Sequence, residues 1–201
     1  MRRVALIVLL SITAMGSVAL AGDKEKAPFK AGEADSYPGA QTLDKITIGA
    51  KPFATAELAA TAFGKVDPYK YGILPVLVVI KNDTGKALRL DLQVEFIHPD
   101  NKHVEAMPPG DVVLFNGRSH DWKIKTPSPI PLPRKNKGGP LNTWEIEGRA
   151  FSAKLIPAGE TASGFFYFDV DNQPGSKLYL TGIKDAKSGK DYFYYEVPFE
   201  K

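Results

Sequence analysis

The 201-residue sequence contains no cysteine. This absence excludes disulfide bonds, thiolate metal sites and attachment of a lipid to a cysteine behind an export signal. Without cross-links, the folded chain depends on a packed hydrophobic core. Histidine is also scarce, with three in the chain, so a site built on imidazoles has few candidates.

Neither sign of charge predominates in the sequence. The chain has 26 Lys and Arg against 23 Asp and Glu, a formal net charge of +3. Arg2 and Arg3 belong to a segment that we expect to be removed, which brings the remaining charge close to zero. A protein that binds nucleic acid normally presents a concentrated basic face, so this balance argues against nucleic acid as a partner.

The first 21 residues have the pattern of an export signal. Two arginines precede an apolar run over residues 4–12, and Ala19 and Ala21 supply the small side chains that a signal peptidase requires. The pattern predicts cleavage after Ala21, a secreted or periplasmic location and no membrane span in the mature chain. The alternative is an uncleaved anchor, but polar and small residues interrupt the apolar run.

Behind the signal, residues 22–42 are expected to form a flexible leader. This stretch is charged, contains two prolines and has few large apolar residues, so it buries too little surface to offset its ordering entropy. A single domain is then expected over residues 43–201, since no repeat at a fixed period is present.

Within this domain the apolar pattern predicts short strands and one short helix. Residues 73–81 are almost continuously apolar, as in a strand covered on both faces, whereas residues 88–98 alternate, as in a half-buried strand. Thr55 is expected to cap a helix that ends at Gly64. Residues 144–156 also alternate, with a change of phase near Gly148 that suggests a bulged strand.

Two phrases in the sequence carry a family resemblance. YGILPVLVVIKNDTGKALRL and LIPAGETASGFFYFDV are similar to segments of secreted bacterial immunoglobulin-like β-sandwich proteins, which are largely uncharacterised. The resemblance implies an all-β fold, an antiparallel sandwich of about seven strands with one short helix and a long proline-rich loop. It also implies a place in the bacterial cell envelope, but no activity, because sandwiches have many unrelated functions.

The long Pro/Gly-rich loop, residues 107–142, is one candidate for a binding site. Prolines at every second position favour an extended path, and basic side chains lie between two tryptophans. This loop could engage an envelope protein or a polysaccharide, or it could be a solvated connector anchored by its tryptophans. The candidate contact residues are Trp122, Arg134, Lys135, Lys137 and Trp144.

The last predicted hairpin is a second candidate, because it is rich in aromatic side chains. Tyr192 and Tyr194 could belong to an exposed platform that stacks on sugars or contacts a protein. The alternative is that these aromatic rings pack on both faces of the strand.

The histidines form the third candidate. His98 and His103 flank a four-residue turn and could face each other across a hairpin, close enough to share a metal ion. A structural zinc site needs about four ligands, however, and only His120 remains, so two histidines at the sheet rim are the alternative. Ser119, His120 and Asp121 have the residue types of a hydrolytic triad, but adjacent residues cannot assemble its geometry.

These observations predict an exported, non-catalytic envelope protein without a cofactor, acting as a protein-binding, glycan-binding or structural module. The alternative is a small periplasmic metal-handling protein or hydrolase that uses the histidines.

Overall fold

The computed structural model describes residues 29–115, 139–141 and 143–200. The predicted signal peptide and most of the proline-rich loop therefore lie outside the described residues. Nine strands are present in the described part of the chain. They are β1 (Gln41–Leu43), β2 (Ile46–Pro52), β3 (Leu74–Asn82), β4 (Leu88–Ile97), β5 (His103–Glu105), β6 (Leu155–Ile156), β7 (Thr161–Phe168), β8 (Lys177–Asp185) and β9 (Tyr194–Pro198).

Helices are short and few. The described ranges contain three α-helices, α1 (Ala56–Phe63), α2 (Pro109–Leu114) and α3 (Trp144–Gly148), and 3-10 turns at Ala34–Ser36 and Tyr69–Tyr71. Helix α1 begins as predicted, with the Thr55 hydroxyl accepting the Leu58 N–H at 3.3 Å, and it ends at Gly64 with a positive φ. The expectation of one helix omitted α2 and α3.

The strands form two antiparallel sheets. The first has the order β1-β2-β3-β7 and the second β5-β4-β8-β9, with β6 paired to the other end of β4. This confirms an all-β sandwich of antiparallel sheets. It also confirms that the last two strands pair, since β8 lies against β9.

The sheets enclose one apolar core, and the first sheet carries a second core on its outer face. Between the sheets lie side chains such as Phe96, Phe168 and Tyr195. On the outer face of the first sheet, Phe63 of α1 and Ile146 of α3 cover Phe165 of β7. The whole of 73–80 is buried, which confirms that this strand is covered on both faces.

Asn82 ties the turns of the two sheets together at the end of β3. Its buried side-chain amide lies 3.0 Å from the carbonyl oxygen of Ile156 and 2.7 Å from that of Lys86. Its side-chain oxygen accepts the Thr84 N–H and hydroxyl. The buried polar group is thus satisfied by the turn between β3 and β4 and by the backbone of β6, as buried amides require.

The segment expected as a flexible leader differs from that expectation from Phe29 onward. Ala34 is fully buried, and Phe29 packs edge-on against Phe53 at 5.9 Å between ring centroids. A Cβ on Gly49 would lie 2.2 Å from the Ala34 carbonyl oxygen, so the glycine lets this arm lie directly on β2. The small Ala34 side chain buries little surface by itself, but here it fills the space over Gly49 of β2.

Residues 144–148 form helix α3, whereas the sequence predicted a bulged strand over residues 144–156. The Ile146 side chain is fully buried, and the Tyr167 hydroxyl donates a hydrogen bond to the Ile146 carbonyl oxygen at 2.7 Å. Burial raises the pKa of Tyr167 well above its ordinary value, so the hydroxyl remains a donor. This bond and the apolar contact of Ile146 hold the helix on the first sheet.

Candidate functional site

The outer face of the second sheet presents exposed aromatic rings. Phe193 is 76 % exposed and Tyr194 54 %, and Tyr194 stacks on Tyr179 of the neighbouring strand at 5.6 Å with an angle of 25° between the rings. Two adjacent large rings are seldom both exposed on a protein surface. Exposed apolar patches commonly mark interaction sites. We call Phe193, Tyr194 and Tyr179 the aromatic ridge.

Backbone conformation exposes the two rings together. Phe193 has φ of 59°, the left-handed region that bulky side chains rarely adopt, at a cost of about 1–2 kcal/mol. The Asp191 side chain accepts the Phe193 N–H at 2.9 Å and stabilises this turn. The turn interrupts the alternation of faces, so Phe193 and Tyr194 are both exposed while Tyr192 and Tyr195 are buried.

The ridge separates two open clefts. The β1–β9 cleft, of about 780 Å³, is lined by the hairpin β1–β2 and by β9, including the half-exposed Leu43. The β4–β8 cleft, of about 570 Å³, lies on the other side of Tyr194 and is lined by Tyr179 and Thr181 of β8. A ligand on the ridge can therefore contact side chains on both flanks.

Ion pairs hold the charged side chains of these flanks. The Lys177 ammonium lies 2.5 Å from a carboxylate oxygen of Glu196 beside the β1–β9 cleft. Asp91, beside the β4–β8 cleft, lies 3.2 Å from the Arg89 guanidinium and 3.9 Å from the Lys184 ammonium. These contacts place hydrogen-bonding groups beside the ridge and compensate the charges of Glu196 and Asp91.

His103 extends the aromatic row to the edge strand β5. Its ring centroid lies 6.4 Å from that of Tyr179, and its Nδ1 atom lies 2.6 Å from a carboxylate oxygen of Glu95. The rings of His103 on β5, Tyr179 on β8 and Tyr194 on β9 thus form a row across the sheet. The carboxylate fixes the orientation of the imidazole at one end of the row.

The structure divides the two tyrosines that the sequence singled out in the last hairpin. Tyr194 is exposed on the ridge, whereas Tyr192 is 9 % exposed and belongs to the core between the sheets. The sequence places Phe193 among the aromatic residues of this hairpin but does not single it out as a contact residue. The signal that could have found it is the Asp191 side chain two residues earlier, since Asp at that spacing favours a local turn.

Trp144 does not join this surface. It is 69 % exposed on α3, which covers the first sheet, and its ring lies 5.8 Å from the Arg149 guanidinium. The ridge lies on the opposite side of the sandwich. Trp122, Arg134, Lys135 and Lys137 lie outside the described residues, as do Ser119, His120 and Asp121.

The structure does not bring His98 and His103 together. In the β4–β5 pairing Ile97 lies opposite His103, and neighbours along a strand point to opposite faces. The His98 ring accordingly packs at 5.0 Å on Phe96 of the inner core, while His103 lies on the outer face. Among the described residues, no group of three or more His, Cys, Asp or Glu side chains is arranged to hold a metal ion.

None of the helices in the described ranges has the length and apolar character that a membrane crossing requires.

Comparison with known proteins does not place the chain in a family: no family model matches it, and no curated protein matches it. A solved target of the Northeast Structural Genomics Consortium is similar at 11 % identity and a TM-score of 0.34, over 77 % of this chain and 83 % of that one. A Bacillus subtilis protein, provisionally described as a lipoprotein, is similar at 14 % identity and a TM-score of 0.36, over 80 % of this chain and 39 % of that one. At these TM-scores neither likeness bears on fold or function.

Proposed function

We propose that the protein is an exported, non-catalytic binding module of the cell envelope, with an immunoglobulin-like sandwich as scaffold and the aromatic ridge as its ligand-binding surface. The observation that carries the proposal is the exposure of Phe193 and Tyr194 side by side on a rigid sheet. Helices and residues 29–37 cover the outer face of the first sheet, whereas the aromatic rings on the outer face of the second sheet are exposed to solvent.

Strain in the turn supports a binding role. A left-handed conformation at a bulky residue is retained only where the surroundings enforce it, and such positions cluster at binding and catalytic sites. Here the strained residue carries the most exposed large hydrophobic side chain of the described residues. A purely structural turn would gain stability from Gly or Asn at this position.

The preformed ridge lowers the entropic cost of binding. Tyr194 is stacked on Tyr179, and Tyr179 lies within reach of the His103 ring. Aromatic side chains held in this way lose little rotamer freedom when a ligand covers them. The ridge therefore has the organisation of a binding surface.

The test is retention of the full chain, purified after export, on the insoluble envelope fraction of the source organism. The ridge variant combines Phe193→Asn and Tyr194→Thr, which remove both rings and suit the local backbone. We expect at least a fivefold loss of affinity, because two aromatic contacts at about 0.5–1.5 kcal/mol each, or about 1–3 kcal/mol together, are lost. Sedimentation over a range of protein concentrations measures it.

Leu155→Thr is the matched control, since Leu155 is 52 % exposed in β6, away from both clefts. We expect this variant to bind as the wild type does, with circular dichroism showing that all three proteins are folded. Equal retention of the ridge variant and the wild type contradicts the proposal. So does a wild type that sediments no more than an unrelated protein.

A further inference from the structure

The ligand class can be narrowed from the charges beside the ridge. Four carboxylates line the two clefts, those of Asp44, Glu196, Asp91 and Asp191, together with the ammonium groups of Lys177 and Lys184. An anionic polymer that lay across the ridge would meet this excess of carboxylates, and like charges at close range disfavour such contacts. The surface is therefore unsuited to phosphate-rich or uronate-rich ligands.

The same carboxylates do not form a strong acidic patch either. Glu196 is paired with Lys177, and Asp91 is paired with Arg89 and Lys184. Asp191 accepts the backbone N–H of Phe193. Two of the four carboxylates, those of Glu196 and Asp91, are thus already paired with cations, so a basic protein segment would gain little from them. Charged residues are also depleted from the centres of protein interfaces.

Sugar rings match a surface of exposed aromatic rings flanked by hydrogen-bonding side chains. A pyranose has an apolar face of C–H groups that lies flat on an aromatic ring, and hydroxyl groups around its rim that need nearby donors and acceptors. Phe193 and Tyr194 supply the rings, and the paired side chains of both clefts supply the donors and acceptors. Both clefts are open, which suits a chain that continues beyond the contact more than a small molecule that needs enclosure.

We infer that the ligand of the aromatic ridge is a neutral polysaccharide, whose sugar rings stack on Phe193 and Tyr194 while its hydroxyl groups bond to the side chains of the two flanking clefts. This inference rests on the proposed function and specifies its ligand. It identifies Lys177 and Glu196 as hydrogen-bonding groups for the sugar.

The experiment uses glycans released from the same envelope material by exhaustive protease digestion and separated by anion exchange into a neutral and an anionic fraction. Each fraction is cast into a native gel, and the retardation of the full chain is compared with that of the ridge variant and the Leu155→Thr control. We expect the neutral fraction to retard the wild type and the control, and to retard the ridge variant at least fivefold more weakly.

Two results would overturn the inference. One is ridge-dependent retardation by the anionic fraction, either alone or as strong as that by the neutral fraction, which would mean that the carboxylates of the two clefts do not exclude anions. The other is no ridge-dependent retardation by either fraction while ridge-dependent sedimentation with intact envelope persists. That second result would mean that the ridge binds an envelope component other than these glycans and would leave the proposed function standing, whereas loss of ridge dependence in both assays removes the function as well.

Discussion

At the scale of single residues, Asp185 is an acidic side chain held by an ion pair and by two backbone N–H groups. Its side chain is 2 % exposed at the end of β8 and accepts the N–H groups of Lys187 and Ser188 at 2.9 and 2.8 Å. The Lys86 ammonium lies 3.1 Å away. The Ser188 amide, and then the Lys86 side chain, hold the pKa of Asp185 far below its ordinary value.

Asp185→Asn should therefore destabilise the protein in a pH-dependent way. The carboxyl binds a proton less readily in the folded chain than in the unfolded chain, so the carboxylate stabilises the fold above the unfolded pKa of about 3.9. This contribution is lost as the pH falls toward the folded pKa. We expect the difference in melting temperature between wild type and variant to be largest near neutral pH and to narrow below about pH 4.

Thermal unfolding followed by circular dichroism between pH 2 and pH 7 measures that difference. Asp100→Asn is the control, because Asp100 accepts one backbone N–H, from Lys102, in an exposed turn. A wild-type advantage over Asp185→Asn that stays constant or grows in acid would contradict the prediction.

At the scale of elements, a bulge between β4 and β8 shapes the floor of the β4–β8 cleft. The pairing register shifts between Leu90 and Gln93, and Gly182 opposite has φ of 87°. A Cβ at Gly182 would lie 2.0 Å from the Asp91 carbonyl oxygen, so glycine is required both for its conformation and for its lack of a side chain. The bulge brings Asp91 and Gly182 to the wall of this cleft.

Gly182→Ala should cost about 2–4 kcal/mol of unfolding free energy, because the backbone of β4 must move. Gly189→Ala is the matched control: its φ of 71° is equally unsuited to alanine, but nothing lies within 4 Å of the added Cβ. We expect the control to cost about 1 kcal/mol. Urea unfolding of both variants checks this, and equal losses would show that the contact with Asp91 is unimportant.

The sequence predicted those elements whose signals are local and long enough. Thr55 and Gly64 delimit α1, and the apolar run that continues into β3 has the length of a strand and the composition of one covered on both faces. Helix α3 was misread because a five-residue segment fits a period of two as well as one of 3.6. Its helical state depends on contacts with β7, which lie outside the segment.

The sequence predicts the residues of the candidate site better than it predicts the sheet face on which each of them lies. The aromatic composition of the last hairpin was visible in the sequence, but the assignment of faces assumed strict alternation. The left-handed turn at Phe193 shifts that alternation, so Tyr192 enters the core and Phe193 replaces it on the surface. The ring partner of Tyr194 on β8, and the β1–β2 hairpin that lines the same cleft, are distant from Tyr194 in sequence and follow only from the arrangement of the sheets.

At the scale of the whole molecule, the two sheets face different surroundings. The first is covered on both sides, and the second offers its outer face to solvent, with charged side chains largely paired with one another. The full sequence is also close to electrical balance, with a formal net charge of +3. Long-range electrostatic attraction therefore contributes little to recognition.

Binding to the envelope should accordingly be nearly independent of salt. We expect the affinity of the full chain to change by less than about threefold between 50 and 500 mM NaCl, because few counterions are released when a neutral polymer binds. Sedimentation with the envelope fraction at several salt concentrations measures this. A tenfold loss over that range would indicate an ionic ligand instead.

The first and last strands of the described chain meet at the ridge. The Tyr195 hydroxyl of β9 donates a hydrogen bond to the Leu43 carbonyl oxygen of β1 at 3.3 Å, and Gly39 lies directly against the Pro198 carbonyl oxygen. A ribosome releases β1 before β9, so a nascent chain that still lacks β9 also lacks the β1–β9 cleft. A protease that removed β9 would likewise remove this cleft and the Tyr194 ring while leaving strands β1 to β8 in the chain.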